Sequence, residues 1–366
     1  MFHNIRILAE RHSVRVVSFV ENEEESELLK PVETICESVT AVQRIPDFGA
    51  HWFSLVPFTI REFDTPAMHK AVDEAIRLKK VDIIQCEYLQ MAQYRHREAF
   101  CILTAIEGVS ESAYRAFQNA KEAVDKLRLF SRWMAMLNYE ISACNAFDRV
   151  VTMTKEDAKY LRSYAYRANI RDIPIGIDPE YFQPAALAPS DRPIEILFIG
   201  NFRHTPNVEA ASFLLEQIAP HFPKVEFVIA GSYLPNGLRR ASNVIFPGYV
   251  ADTRQLFHGT NTIFAAPLFS GTGQRVKLLE AFAMGSAVIT TTVGAAGFPI
   301  VNGQQAIIAD TAADFRAAVS TLACSPELRA QLGKEARQMI VDKFNWQTIG
   351  QQFLDLVEER NCSGAL

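Results

Sequence analysis

Residues 267–281 read Pro267-Leu268-Phe269-Ser270-Gly271-Thr272-Gly273-Gln274-Arg275-Val276-Lys277-Leu278-Leu279-Glu280-Ala281. The preceding run, Thr262–Ala266, is apolar and typical of a buried parallel strand. The segment itself predicts a glycine loop and then a helix over residues 275–284. A strand, a glycine loop and a helix N-terminus in this order can bind a phosphate, because backbone N–H groups and the helix dipole favour an anion there. On the local pattern alone, an ordinary strand-to-helix connection is an equally good interpretation.

The composition is that of a globular protein. The chain has 366 residues, 49% hydrophobic and 22% charged, and this length favours two domains. Its net charge of −5 gives no general attraction for nucleic acid. No apolar run reaches transmembrane length, and the first residues lack the apolar core of a secretory signal, so we expect a cytoplasmic protein.

The six cysteines and eight histidines show no spacing typical of a metal site. No two cysteines have the C-x-x-C spacing, which indicates buried free thiols in a reducing compartment. We therefore expect no bound metal.

Strand and helix patterns alternate along both halves of the chain. Strands are predicted at residues 14–20, 41–45, 81–86, 100–105, 149–152 and 170–173, and again at 194–199, 225–230, 243–246, 262–266, 287–291 and 306–308. Helices are predicted between them, among them a long one over residues 112–147. This alternation predicts parallel sheets with helices on both faces.

A proline-rich stretch divides the two halves. Five prolines between residues 174 and 193 predict a linker. We predict a first domain at residues 1–178, a linker at 179–193, a second domain at 194–343 and a C-terminal helix at 344–366. The predicted fold class is α/β, with two tandem Rossmann-like doubly wound domains and an interdomain cleft where ligands bind.

Several short segments occur in an order found in one family. They read Phe198-Ile199-Gly200-Asn201-Phe202, Val228-Ile229-Ala230-Gly231, Phe246-Pro247-Gly248-Tyr249-Val250, Ala287-Val288-Ile289-Thr290-Thr291 and Gly294-Ala295-Ala296-Gly297, with residues 271–285 between the third and fourth. In this order the chain resembles the group 1 glycosyltransferases, also called glycosyltransferase family 4, whose two-domain architecture is named GT-B. The resemblance is strongest in the second half. In this family the C-terminal helix crosses back to the first domain.

The resemblance implies a reaction. A sugar moves from a nucleotide diphosphate donor on the second domain to an acceptor hydroxyl on the first. Helix dipole and cationic side chains can neutralise the leaving diphosphate without a metal. We therefore expect a metal-independent hexosyltransferase without a cofactor, acting on a sugar or lipid-linked acceptor in surface polysaccharide or glycolipid synthesis.

The donor-site candidates follow from the family's motif. Arg275 and Lys277 match its basic positions, which would pair with the diphosphate. Glu280 matches the second carboxylate of its E-x7-E motif, which would accept hydrogen bonds from the nucleotide ribose. Thr272 stands where the first carboxylate would be, and its hydroxyl can substitute in part.

Two further glycines and an arginine complete the donor-site candidates. Gly271 and Gly273 let the backbone approach the donor closely. Many family members carry an Arg and a Lys in the loop after the second domain's first strand, where this chain has Asn201 and Asn207. Arg203 in that loop can compensate, although a surface arginine is nearly as good an interpretation.

Glu107 and Glu87 are the candidates for a catalytic base. The family often has a His-Asp pair after a strand of the first domain, and here the histidine is absent and Glu107 takes the acidic place. Glu87 follows another predicted strand. Both would face the cleft, where a base for the acceptor hydroxyl is needed. Carboxylates that cap helices or contact solvent are the alternative interpretation.

Two regions leave questions open. Residues 1–11 predict a helix and residue 14 begins a strand, whereas the family opens with an additional strand, so we expect the first domain to lack that strand. The segment from Lys121 to Arg132 is both basic and apolar and suits a peripheral membrane contact. The solvated face of a long helix is the favoured alternative.

Other functions remain open at this point. An active glycosyltransferase is the leading interpretation, and the alternative is a nucleotide-sugar-binding protein that the substituted acidic positions and the missing strand leave without turnover. A nucleotide-sugar epimerase of the same architecture is a third interpretation. A dehydrogenase is disfavoured, because no G-x-G-x-x-G follows the first strand of either domain.

Overall fold

The computed structural model describes residues 1–45, 56–106, 108–184 and 193–363. The chain divides into two compact units. The first unit comprises Met1–Pro174 and Gly350–Leu366, and the second comprises Ile175–Ile349.

The first unit contains six strands and eight helices before the chain enters the second unit, counted over the described residues. The strands are β1 (Arg15–Val20), β2 (Ser38–Gln43), β3 (Ile83–Glu87), β4 (Phe100–Ala105), β5 (Arg149–Thr152) and β6 (Ile170–Asp172). The helices are α1 (Phe2–Ala9), α2 (Glu23–Glu27), α3 (Lys30–Glu33), α4 (Phe58–Arg61), α5 (Pro66–Leu78), α6 (Val109–Asn119), α7 (Ala123–Ala146) and α8 (Lys155–Tyr164).

The strands of the first unit form two parallel sheets. β1 pairs with β2, with Arg15 opposite Ser38, and the other four strands follow the order β3-β4-β5-β6. Within the described ranges, no strand pairs with the second edge of β1 or with the outer edge of β3. As the alternating pattern predicts, every pair of strands that the structure describes in the first unit is parallel.

The prediction of one helix over residues 112–147 is wrong. The chain leaves the helical conformation at Ala120 and Glu122, whose ψ angles are 133° and 137°. The resulting hairpin of α6 and α7 lets Phe117 stack on Trp133, with ring centroids 5.9 Å apart and planes inclined by 6°. In one continuous helix these two residues would lie about 24 Å apart. Tertiary pairing of aromatic rings therefore overrides the local helical pattern.

The second unit contains one parallel sheet of six strands, and its helices complete the fold. The strands are β7 (Glu195–Ile199), β8 (Glu226–Ala230), β9 (Val244–Gly248), β10 (Thr262–Ala266), β11 (Ala287–Thr290) and β12 (Ile307–Ile308). The helices are α9 (Thr205–Phe213), which continues as a π-helical turn (Leu214–Ile218), α10 (Val276–Ala283), α11 (Ala312–Cys324) and α12 (Pro326–Lys343). The last helix, α13 (Trp346–Ser363), begins in the second unit and belongs to the first unit from Gly350 onward. Among the helices of the described ranges, none is long and apolar enough to cross a membrane.

The strand order in the second unit reverses between two central strands. The order is β12-β11-β10-β7-β8-β9, so the chain progresses outward from β7 in one direction and from β10 in the other. All five residues of β10 are buried, as expected for a central parallel strand. The loops that leave β7 and β10 diverge to opposite sides, which creates a crevice at the carboxyl edge of the sheet.

A close backbone contact fixes one side of this crevice. Gly231 follows β8 with a φ of 137°, and a Cβ atom there would lie 1.8 Å from the carbonyl oxygen of Gly200. Only glycine satisfies both the backbone conformation and the distance. The loop after β7 is therefore held directly against the end of β8.

A buried carboxyl group stabilises the first unit. Glu140 of α7 is 1% exposed, and it accepts hydrogen bonds from the backbone N–H of Val109, at 3.1 Å, and from the Ser110 hydroxyl. The Ser110 hydroxyl also lies 2.9 Å from that of Tyr160. Burial raises the pKa of Glu140 to about 7, an effect that the bonds from Ser110 and Val109 oppose and that nearby Asp157 reinforces. Glu140 thus supplies the acceptor that the N-terminus of α6 requires.

The first unit should lose stability as pH rises from about 5 to about 8. Glu140 has a higher pKa in the folded chain, about 7, than its ordinary value of 4.5. Its stabilising contribution is therefore complete below the lower value and is lost as pH rises through the higher one. We expect a loss on the order of 2 kcal/mol, measured by urea unfolding across this pH range.

Two variants separate this effect from other titrations. Glu140→Gln should abolish most of the slope, whereas Glu74→Gln, which alters an exposed carboxylate on α5, should preserve it. An unchanged slope in Glu140→Gln would show that another group is responsible.

Candidate active site

The candidate site lies at the carboxyl edge of the second unit's sheet, where the strand order reverses. The loop after β7 leads into α9, and the loop after β10 leads into α10. In a parallel sheet the following helices begin at this edge, so their N-termini lie near the crevice. α10 has no acidic residue in its first turn and no side chain that caps its N-terminus.

The glycine loop has the backbone conformation that the sequence predicted. Gly271 and Gly273 have φ angles of 104° and 75°, which other residues rarely adopt. Arg275 folds back over the loop, because its guanidinium donates a hydrogen bond to the backbone carbonyl of Thr272. The side-chain oxygen of Gln274, in turn, accepts a hydrogen bond of 2.6 Å from the backbone N–H of Ile175. These two contacts hold the end of the loop that leads into α10.

Lys277 of α10 connects this helix to α9. Its ammonium donates a hydrogen bond of 2.5 Å to the side-chain oxygen of Asn207 on α9 and lies 4.6 Å from the ring centre of Phe198. Burial lowers the pKa of Lys277 to about 7, and the neighbouring charge of Arg275 lowers it further, whereas Glu280 raises it. A cation in the first turn of a helix is unfavourable unless an anion compensates it. The surroundings of Lys277 therefore favour the arrival of a negatively charged ligand.

The amides of Asn201 and Asn207 organise the loop after β7. The Asn207 side chain donates a hydrogen bond of 2.7 Å to the backbone carbonyl of Asn201. The Asn201 side chain accepts one of 3.0 Å from the backbone N–H of Arg203. At the two positions where the family resemblance implies basic residues, both asparagines thus hold the loop, and Asn207 also orients Lys277.

Arg203 lies on the rim of the same loop. Its guanidinium is 3.8 Å from the ring centre of Tyr233, an attractive cation–π arrangement. Tyr233 is 58% exposed and has a positive φ of 62°. The structure places Arg203 against Tyr233, and its contact with a donor stays a prediction.

Glu280 lies one turn beyond Lys277 on α10. It accepts a hydrogen bond of 3.2 Å from the hydroxyl of Thr253. Burial raises the pKa of Glu280, while the Thr253 bond and the charge of Lys277 oppose that rise. This carboxylate is thus oriented by a segment other than its own helix.

Phe198 and Thr253 were not predicted as site residues. Phe198 belongs to an apolar strand whose pattern indicates only a core position, and it is 0% exposed. Thr253 follows the Phe246–Val250 segment, which the family resemblance singled out, by three residues. That proximity was the only available signal, since the contact with Glu280 spans 27 residues.

The two candidate bases of the first unit differ in what the structure describes. Glu107 lies outside the described residues, so its role stays a prediction. Glu87 ends β3 and accepts a hydrogen bond from the side-chain amide of Gln85. Burial raises the pKa of Glu87, which suits a carboxylate that accepts a proton. The next residue, Tyr88, has a φ of 73°, a strained conformation of the kind found at functional sites.

The structure also shows whether potential metal ligands group together and which cysteines are buried. In the part of the chain that the structure describes, no three His, Cys, Asp or Glu residues group as a metal site would require. Cys86, Cys101 and Cys144 are buried free thiols, as expected. Cys324 is exposed, so the expectation of burial is wrong there: this residue ends α11 at the surface.

Part of the sequence matches the model of a known protein family. The model of the family described as "Glycosyl transferases group 1" matches residues 193–325, which lie in the second unit and include the whole candidate donor site. A glycogen synthase from Mycobacterium tuberculosis is 27% identical over 196 residues, which cover 50% of this chain and 46% of that protein. The chain therefore spans about half the length of the curated relatives it matches.

Comparison with solved structures agrees on the fold. The sucrose-phosphate synthase of Thermosynechococcus elongatus has a TM-score of 0.72 at 17% identity, with 96% of this chain and 100% of that chain covered. Anabaena Alr3699/HepE, solved in complex with UDP, has a TM-score of 0.72 at 15% identity, with 98% and 95% covered. The fold is the GT-B architecture of two Rossmann-like domains. Over residues 193–325, the chain is similar to the group 1 glycosyltransferases.

Proposed function

We propose that the chain is a glycosyltransferase that moves a sugar from a nucleoside diphosphate donor to an acceptor hydroxyl. The observation that carries this proposal is the ammonium of Lys277, held between Asn207 and Phe198 at the start of α10. The match of residues 193–325 to the group 1 glycosyltransferase model and the likeness to a fold solved with UDP support it.

The donor's diphosphate occupies the crevice between the loops after β7 and β10. Cleavage of the sugar–phosphate bond leaves negative charge on the diphosphate, and preorganised cations stabilise that charge best when water is excluded. Lys277 is partly deprotonated near neutral pH, because its pKa is about 7. A bound diphosphate raises that pKa, so the lysine takes up a proton as the donor binds.

The nucleoside lies further along α10. Glu280 is oriented by Thr253 and accepts hydrogen bonds from the ribose hydroxyls. Arg275 already bonds the carbonyl of Thr272, so its first role is to shape the glycine loop, and Arg203 approaches the phosphates from the rim.

The acceptor binds the first unit, where Glu87 or Glu107 removes the proton of the attacking hydroxyl. The raised pKa of Glu87 supports this role. The acceptor is a sugar or a lipid-linked sugar, and the transfer of a hexose builds a surface polysaccharide or glycolipid on the cytoplasmic side. No cofactor or metal takes part.

One observation favours a second function, nucleotide-sugar binding without turnover. Asn201 and Asn207 are neutral where basic residues were expected, and Thr272 replaces an expected carboxylate. A site with fewer charges stabilises a leaving diphosphate less. Binding without product formation distinguishes this alternative from the proposed transfer.

The proposed reaction is tested with a panel of nucleotide sugars. Uridine, adenosine and guanosine diphosphate sugars are incubated with the protein and candidate acceptors, and products are identified by mass spectrometry. Transfer with release of nucleoside diphosphate supports the proposal. Tight binding without a product supports the second function, and conversion of the donor without an acceptor supports an epimerase.

Transfer should persist in EDTA. Helix dipole and basic side chains carry the charge of the leaving group in the proposed mechanism, so chelation should leave the initial rate within about twofold of that in buffer. Loss of turnover in EDTA that manganese or magnesium restores would contradict metal independence.

Replacing Lys277 should weaken donor binding. Lys277→Met keeps much of the side chain's volume and removes its charge, so nucleoside diphosphate affinity should fall by about 1.5–3 kcal/mol, the magnitude of a charged hydrogen bond. Isothermal titration calorimetry measures the difference. Lys334→Met, which alters an exposed lysine on α12, is the matched control and should bind normally. Equal affinities of the two variants for the nucleoside diphosphate would show that Lys277 does not bind the diphosphate.

Glu280→Gln should discriminate between ligands. The proposed partner of Glu280 is the ribose, so a nucleoside diphosphate should lose about 1–2 kcal/mol of binding free energy while inorganic pyrophosphate loses none. Competition binding measures both ligands. An equal loss for both would indicate that Glu280 acts through the loop structure instead.

A further inference from the structure

The α6–α7 hairpin has a small aromatic core of its own. Phe117 stacks on Trp133, and Tyr114 and Phe130 lie 4.7 Å and 5.8 Å from Trp133 between ring centroids. Further along α7, Met136 is 2% exposed and faces the interior of the first unit. One side of α7 is therefore fully used in packing.

The opposite side of α7 exposes large apolar side chains. Val124 is 81% exposed, Leu127 is 69% and Met134 is 42%, and Phe130, at the edge between this side and the aromatic core, is also 42% exposed. Their spacings of three, three and four residues place them along one side of the helix. Met134 and Met136 are two positions apart, or about 200° around the axis, so this stripe points away from the core. A contiguous exposed apolar surface of this kind indicates an interaction site.

Basic residues flank the apolar stripe: Lys126 lies one turn before Phe130, and Arg128 lies one turn after Val124. Lys121, Lys126, Arg128 and Arg132 are all exposed, whereas Glu122 and Asp125 supply the only carboxylates between residues 121 and 134. Arg128 pairs with Asp125 at 3.1 Å. The segment therefore has an excess of two positive charges in a chain whose net charge is −5. Its charge is complementary to an anionic surface.

We propose that the outward side of α7, residues 124–134, docks on the surface of an anionic lipid bilayer. The apolar side chains enter the boundary between headgroups and acyl chains, and the basic side chains lie at the level of the lipid phosphates. A contact between two copies of the chain would bring the two positive segments together, which opposes self-association. This proposal concerns the surface of the first unit and is independent of the transferase activity.

Vesicle sedimentation of the full chain tests the proposal. The protein should sediment with vesicles of mixed phosphatidylcholine and phosphatidylglycerol, and less with pure phosphatidylcholine or at high salt. Val124→Gln combined with Leu127→Gln should reduce the partition coefficient at least about tenfold. Lys126→Gln, which alters an exposed lysine one turn before Phe130, should reduce it about fivefold.

Leu78→Gln is the matched control. Leu78 is 81% exposed, like Val124, but lies on α5. This variant should sediment as the unaltered protein does. An equal loss in Leu78→Gln, no sedimentation of the unaltered protein, or equal binding to both vesicle types overturns the proposal.

Analytical ultracentrifugation without lipid tests the alternative that a second copy of the chain binds this side of α7. We expect the same sedimentation coefficient for the unaltered protein and the Val124/Leu127 double variant. A dimer that the double variant dissociates would show that this side of α7 binds a second copy, and the lipid proposal would be wrong.

Discussion

The reversal of strand order between β7 and β10 is the constraint on which the candidate site depends. Because the two strands are parallel neighbours, their connections leave at the same edge and in opposite directions. α9 and α10 therefore begin close together, although 70 residues separate Asn207 from Lys277. The hydrogen bond between these two side chains is the direct consequence. The glycine loop and the contact of Gly231 with Gly200 hold the backbone on either side of it.

The N-termini of α6 and α10 carry side chains of opposite charge. In the first unit, the carboxyl group of Glu140 accepts the N–H of Val109 and so satisfies the start of α6. In the second unit, α10 has no acidic residue in its first turn and carries Lys277 there. Electrostatics make the first arrangement favourable in itself and the second favourable only with an anion present. This contrast indicates why α10, and not α6, is open to a phosphate ligand.

The sequence pattern predicted the second unit well, because its strands are buried and strongly apolar. β10 has the predicted bounds, and Lys277 and Glu280 lie in the predicted first turns of α10. In the first unit, the equally apolar β4 also has the predicted bounds. Phe198 and Thr253 were not predicted, because each contacts a residue of α10 that is distant in the sequence. The break between α6 and α7 was not predicted for the same reason, since it depends on the pairing of Phe117 with Trp133. Local sequence patterns predict individual helices and strands, whereas these contacts form only when the helices and strands pack together.

The most direct test of the account is the pKa of the Lys277 ammonium, measured by nuclear magnetic resonance with and without a nucleoside diphosphate. Burial and Arg275 hold this pKa at about 7 in the free protein. Ligand binding should raise it by more than about one unit, because the diphosphate stabilises the charged form. The resonance of Lys334, which is exposed on α12, should not move when the ligand is added. If the ligand binds and the pKa of Lys277 stays unchanged, the diphosphate does not occupy this crevice and the account is wrong.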